Sequence, residues 1–422
     1  RHDNRLTLDL NFARNNNYYN QKRGFLMKKH LAQLLCCWIP CKKARKKAIA
    51  SLKEFDTKKI RRNFIKYDHY YLDFLKHDIP EKSVLIVEPN NYHGEIIPGF
   101  VKYWQNLGYH VDVIMRVANY EENPFALFAQ DEMPDIYPMQ KWRISKVLKS
   151  KMMREYNFVF ISSFDYQETK ERYYDYLGFE PQSHWGSLCI YHNCQNIEPY
   201  GEIKKYLGKR LFVLNEFPLA EGKAKLLCPI YFGNIAPHEK NSKTRFVMIG
   251  RLSPNTRNCA QLLEAIEKLL QENITDFEVC VIGSGGMEIP EHLKKHIKKL
   301  GRLNFHDMYH HCMNSDFLLA LLDPESPQQE SYKHGTTTGS KQLSLGLNKP
   351  MLLEKTFADV YGFSEKDTIV YQGNCLYEAM KQAVAMDKKT YAEKCKALRQ
   401  YAEDVAAKSQ KNLAETIASI EG

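Results

Sequence analysis

The apolar run Ser83–Glu88, which reads SVLIVE, leads through a loop at 89–95 into a helical stretch that ends near Gly108. A second apolar run follows at 109–115, with HVDVIM at its heart. A buried-type strand, a helix and another buried-type strand make a β-α-β unit, whose two strands must lie parallel in one sheet. Parallel sheets need helices on both faces, so a layered α/β architecture is expected. Further strands are expected at 158–162, 188–191 and 211–215. Residues 226–233, LLCPIYFG, read as a connector, and the same plan then restarts with a strand at 245–250 and a helix from Asn258 to about Gln271. Strands at 277–282, 303–306, 316–322 and 351–353 follow, and helices between Leu376 and Ile420 close the chain. A length of 422 residues suits two such domains and an appended arm.

The net charge of +10 is local. Residues 27–62 hold twelve Lys or Arg against Glu54 and Asp56, and the remainder of the chain balances at 48 of each sign. A nucleic-acid binder needs a wider basic surface on its folded body, so no nucleic-acid partner is expected. The arm begins MKKHLAQLLCCWIPCKKARKK, a short apolar stretch with Trp38 and five cations between Lys42 and Lys47. That composition suits a segment lying on an anionic membrane surface; a terminal helix with a solvated basic face is the plainer alternative. No apolar run is long enough to span a bilayer, and the polar start does not read as a signal peptide. Eleven scattered cysteines without CxxC spacing suggest reduced thiols in a cytosolic protein.

Residues 335–350, GTTTGSKQLSLGLNKP, carry the strongest chemical signal. A turn without acidic residues enters an amphipathic helix, and a helix start offers unpaired N–H groups and a positive dipole end to a phosphate. The hydroxyls of Thr338 and Ser340, the backbone at Gly339 and the ammonium of Lys341 are candidate donors; an ordinary capped helix is the alternative. Upstream, Gly250-Arg251 and Arg257 stand at a strand-to-helix turn, where two guanidiniums suit phosphate oxygens. The run Gly283 to Gly286 is not GxGxxG, and no Walker loop is present.

Together, Phe246-Val-Met-Ile-Gly-Arg251, Leu262-Leu-Glu-Ala265 and Val281-Ile-Gly-Ser-Gly285 resemble the nucleotide-sugar half of GT-B glycosyltransferases. The resemblance continues through Phe305-His306, Ser315-Asp316 and Thr338-Gly-Ser340 to Lys349-Pro350. The stretch CWIPCKKARKK is similar to a segment of bacterial lipopolysaccharide and capsule glycosyltransferases of the group 1 type. Two departures stand out. The Glu-x7-Glu of retaining families is replaced by Glu325 and Glu330 followed by the Thr/Gly/Ser/Lys turn, and the basic pair is Arg251 and Arg257 rather than Arg and Lys.

The resemblance implies an α/β fold of two Rossmann-like doubly wound domains with an N-terminal basic helical arm. The expected segments are an arm at 1–80, an acceptor domain at 81–230, a nucleotide-sugar domain at 231–385, and helices at 386–422 crossing back to the first domain. It implies a metal-independent, hexosyltransferase-type enzyme moving sugar from a UDP- or GDP-linked donor to a saccharide or lipid-linked acceptor. Surface polysaccharide synthesis on the inner face of the cytoplasmic membrane is the implied setting. A non-catalytic partner subunit of the same fold and a nucleotide-sugar epimerase are the alternatives. Gly250, Arg251, Arg257, Thr338, Gly339, Ser340 and Lys341 would hold the diphosphate, Gly283, Gly285 and His306 would adjoin the base and ribose, and Glu330 or Glu325 would bind sugar hydroxyls. A general base is expected at a strand end of the first domain, with His93 first, Asp165 second and His192 third. No cofactor is expected beyond the donor, and His306, His310 and His311 lack a metalloenzyme motif, so no metal is expected.

Overall fold

The computed structural model describes residues 57–164, 166–169, 172–175, 185–197, 209–253 and 256–422. Asp165 and all but the end of the basic arm lie outside the described residues. The chain divides into two compact units, Arg1–Leu72 and Asp73–Gly422. The described part of the first belongs to the helix Thr57–Phe74.

In the second unit nine strands come first: β1 Ser83–Glu88, β2 His110–Arg116, β3 Asp135–Met139, β4 Phe158–Ile161, β5 Tyr166–Thr169, β6 Arg172–Asp175, β7 Ser187–Tyr191, β8 Leu211–Val213 and β9 Lys225–Leu226. All but β5 and β6, which pair as an antiparallel hairpin, form a parallel sheet in the order β3-β2-β1-β4-β7-β8-β9. Six more follow: β10 Thr244–Ile249, β11 Phe277–Ile282, β12 Ile297–Gly301, β13 Phe317–Leu319, β14 Met351–Glu354 and β15 Ile369–Tyr371. They form a second parallel sheet, β12-β11-β10-β13-β14-β15. Both are doubly wound: the first strand is central, and the chain grows to one side and then the other. The central strands are buried along their length, as in β1, β4 and β7, because helices cover both faces.

One expected strand is corrected. Residues 303–306 are not extended: Gly301 ends β12, and the helix Phe305–Met313 starts at once. Asn304 sets that start, its side chain accepting from the Asp307 amide at 2.9 Å. The strand actually present, IKKLG, exposes Lys298 and Lys299 at the sheet edge, where lysines discourage further pairing. The expected apolar run therefore misses it.

Each sheet has its own core. Phe100 and Trp104 of the helix Ile97–Asn106 pack on the first sheet, and Leu262, Ile266 and Leu269 of the helix Cys259–Gln271 pack on the second. The helix Lys388–Glu421 serves both: Tyr391 belongs to the second core, and Leu413 and Ile417 to the first. Its far end is tied down where the Ser409 hydroxyl accepts from the Cys228 amide at 3.0 Å and Asn412 donates to the Leu226 carbonyl at 2.8 Å. The connector also seats the helix Gly339–Leu347, since a Cβ on Gly346 would fall 2.3 Å from the Phe232 ring.

Leu413 is fully buried although it comes almost two hundred residues after β9. Leu413→Ala should destabilise the protein by about 2–5 kcal/mol, read as a lower urea midpoint. An unchanged midpoint would show that the first core closes without the last helix.

Candidate functional site

Ligands of doubly wound sheets bind beyond the carboxyl ends of the strands, where the strand order reverses. In the first sheet that point lies between β1 and β4, at Glu88, Ser162 and Ser163. In the second it lies between β10 and β13, at Gly250, Arg251 and Leu321. Beside each point a non-glycine residue takes the left-handed backbone region, His93 at φ 68° and Leu321 at φ 49°. Such conformations cost about 1–2 kcal/mol and gather at sites that need them. The two carboxyl ends meet: Cys194 donates its amide to the Gly335 carbonyl at 2.9 Å, and Asn193 bridges Thr336.

On the first side, Glu88 is fully buried. It accepts from the Asn90 amide at 2.8 Å and from the Ser162 and Ser163 hydroxyls, each at 2.7 Å. Burial pushes its carboxyl up to about 7, against the opposing pull of His93 and of these three donors. The ring of His192 stacks on His93 with centroids 4.3 Å apart. Its Nε2 lies 2.9 Å from the Ser162 carbonyl and 3.2 Å from the Ser163 hydroxyl. A carbonyl only accepts, so Nε2 carries the hydrogen. Burial, aided by the charge of His93, pushes His192 down to about 3, so it stays neutral at neutral pH. The His93 Nδ1 is 3.8 Å from Glu95. Burial would raise the Glu95 carboxyl, but the hydrogen bond and charge of His93 hold it below the ordinary range.

On the second side, Arg257 is buried under Gly250, with its guanidinium donating to the Ile249 carbonyl at 3.1 Å and the Thr256 carbonyl at 2.6 Å. Among the described residues its Nε is a buried donor with no partner, while Tyr332 supplies the guanidinium with a side-chain hydrogen bond. Lys341 is also buried and donates to Asn215, which follows β8 of the first sheet. Burial weakens the proton affinity of both cations. Among the described residues neither forms an ion pair; the carboxylate closest in influence to Lys341, Glu216, is exposed and paired with Lys408. Both cations border Tyr361, whose hydroxyl donates to the Thr336 carbonyl at 3.2 Å. Two uncompensated buried cations beside one loop make a strong seat for an anion.

The structure therefore joins His93 and His192 to each other, keeps Thr338, Ser340 and Lys341 on one helix start, and brings Arg257 and Lys341 to the same tyrosine, Tyr361. Lys341 points into the contact between the sheets. Thr338 caps its own helix, accepting from the Ser340 amide at 3.4 Å, while Gly339 faces open space. Arg251 is exposed at the rim. Gly283 and Gly285 serve the fold: at φ 150° and 119°, their missing Cβ atoms would lie 1.7 Å from the Gly250 carbonyl and 2.4 Å from the Leu252 carbonyl. His306 does not end a strand; it is exposed in the first turn of its helix and paired with Asp307, while its neighbour Phe305 lies against Gly94. Glu330 is occupied by Lys333 and His334, and Glu325 is exposed. His306, His310 and His311 do not gather as metal ligands. Asp165 lies outside the described residues. Glu88, Ser162 and Ser163 were not expected; the one trace of them is an acidic residue closing an otherwise apolar strand.

No protein-family model matches the chain, and no curated protein matches it in sequence. Solved structures do resemble it. Sucrose-phosphate synthase from Thermosynechococcus elongatus is 11% identical, with 80% of this chain covering 100% of that one at a TM-score of 0.48. HepE from Anabaena in complex with UDP is 11% identical over the same shares, at a TM-score of 0.45. WaaG, a glycosyltransferase involved in lipopolysaccharide biosynthesis, is 13% identical, with 78% of this chain covering 98% of that one at a TM-score of 0.42. At these identities the likeness concerns the fold alone.

The raised Glu88 carboxyl has a consequence for stability. Its contribution is complete below its ordinary value of 4.5 and is lost as pH rises through about 7, by an amount on the order of 3 kcal/mol. Neutral His192 acts in the opposite direction, losing stability as pH falls from 6.5 toward 3. Glu88→Gln should abolish the first slope, so that urea unfolding at pH 5 and at pH 7.5 gives the variant a clear relative gain at the higher pH. Parallel pH profiles for variant and parent would show that Glu88 does not titrate in this range.

Proposed function

We propose that the chain is a glycosyltransferase acting on a nucleotide-diphosphate sugar. The observation that carries this is the pair of buried cations Arg257 and Lys341, which have no ion-pair partner among the described residues, set against the Glu88–His93–His192 cluster across the contact between the sheets. The diphosphate would lie over the 335–341 loop, where the cations and the Gly339 helix start take up its charge. As the bond from the sugar carbon to the diphosphate breaks, its electron pair leaves with the diphosphate, and buried cations stabilise that charge better than water-exposed ones. The acceptor hydroxyl forms the new bond to the same carbon and gives its proton to the first-domain side. His93 is the group we assign to receive it, because it borders Glu95, whose negative charge would stabilise a protonated imidazole. His192, neutral and hydrogen-bonded to the backbone, positions the His93 ring by stacking.

We assign a UDP- or GDP-linked hexose as the donor and a metal-independent transfer, with the cations standing where a divalent ion would otherwise serve. The acceptor we assign is a saccharide or lipid-linked saccharide of surface polysaccharide synthesis, met at the inner face of the cytoplasmic membrane. Residues 27–62, with twelve cations, would hold the protein to that anionic surface. Among the described residues no helix is long and apolar enough to cross a membrane.

Calorimetry with UDP- and GDP-sugars tests the donor. Arg257→Met should raise the donor Kd by about 10-fold or more, and no heat with any nucleotide sugar would sink the assignment. His93→Ala should lower turnover by roughly 10²–10⁴-fold while leaving donor affinity near that of the parent; unchanged turnover would remove His93 from the reaction. Deleting residues 27–62 should release the protein from vesicles containing anionic lipid, and equal co-sedimentation would refute the anchor.

A further inference from the structure

At the opposite edge of the first sheet, the starts of β2 and β3 bring together His110, Asp112 and Asp135. Asp112 and Asp135 are register partners in neighbouring strands, and His110 lies two residues before Asp112 on the same face. The His110 Nε2 lies 3.3 Å from Asp112 Oδ1 and 3.2 Å from Asp135 Oδ2. Ligands about 2.0 Å from a tetrahedral ion are separated by about 3.3 Å, so the spacing fits one ion among the three atoms.

We infer that His110, Asp112 and Asp135 form a binding site for a divalent cation of the zinc type, remote from the proposed transferase site. Three features favour a cation over a set of simple hydrogen bonds. The first is charge. Two carboxylates face one another here, Asp73 adds to the negative field felt at Tyr137, and among the described residues no lysine or arginine pairs with Asp112 or Asp135.

The second is the fixing of Asp112, which is fully buried. Its Oδ2 is held by the Tyr156 hydroxyl at 2.6 Å and by His77 Nε2 at 2.9 Å, which leaves Oδ1 aimed at His110. Carboxylates that bind metals are commonly oriented in this way by outer partners. The third is access. The side chains of His110 and Asp135 are 37% and 60% exposed, so an ion can enter and a water can complete its coordination. A single imidazole with carboxylate oxygens suits zinc and its first-row neighbours. Because the ligands come from two strands and their outer partners from 77 and 156, the ion would clamp the edge of the sheet that lies farthest from the reaction.

The test uses the full chain, stripped with chelator and titrated with Co²⁺ by visible absorbance, then with Zn²⁺ in competition. One ion per chain is expected. His110→Ala and Asp135→Asn should weaken binding by roughly 100-fold or abolish it, and Tyr156→Phe should weaken it by roughly 10-fold. His310→Ala, a surface histidine elsewhere, should bind as the parent does. Zn²⁺ at a hundredfold excess over its Kd should raise Tm by roughly 3 °C in the parent and not in Asp135→Asn, which keeps the side-chain shape and so separates ligand loss from misfolding. Failure to retain one Co²⁺ or Zn²⁺ per chain, or equal affinity in the parent, His110→Ala and Asp135→Asn, would overturn the inference.

Discussion

The backbone hydrogen bond from Cys194 to Gly335 joins the two sheets at the carboxyl ends of their strands. It can form only because residue 335 has no side chain: a Cβ there would stand 2.7 Å from the Gln195 amide. That close approach carries Asn193 onto Thr336 and leaves Lys341 within reach of Asn215. The loop that carries Lys341 and the strand end that carries His192 are thereby joined through neighbouring residues. The helix Lys388–Glu421 reinforces the arrangement from behind by entering both cores.

Burial governs the charges on both sides of this junction. Removing Glu88 from water favours its neutral form, and removing Arg257 and Lys341 from water opposes their positive charge. Within the protein these unlike charges do not neutralise one another as pairs. A bound anion would restore to the cations what burial takes away, which is why a site of this kind gains affinity from its own unfavourable electrostatics. The cluster of His110, Asp112 and Asp135 presents the inverse case, negative charge gathered at the amino ends of β2 and β3. One sheet thus has chemically distinct ends: its carboxyl edge faces the other sheet, and its amino edge faces away.

Several elements were plain in the sequence for a physical reason. Ser83–Glu88 and Phe158–Ile161 are strands buried on both faces, and such strands leave nearly unbroken apolar runs. Edge strands leave weaker traces. Ile297–Gly301 carries solvated lysines, and Asp135–Met139 carries Pro138, which a central strand would not tolerate. His93 and His192 were legible because each follows an obvious strand. Glu88 was hidden inside a strand pattern, and its partners Ser162 and Ser163 come 74 and 75 residues later. The glycines at 283 and 285 were legible as glycines, but the close backbone approach that requires them, to Gly250 and Leu252, was not.

Two parallel sheets follow from the chain's pattern alone, since apolar runs alternating with helical segments have few other ways to bury themselves. The sequence also determined that a Thr/Gly/Ser/Lys turn begins a helix beside the second sheet, because local capping chemistry is written in neighbouring residues. Tertiary packing alone turns Lys341 inward to Asn215, buries Arg257 with no carboxylate partner among the described residues, and stacks His93 on His192. Those facts depend on desolvation and on contacts between residues separated by about a hundred or more positions. Periodicity and local motif carry no record of such distances.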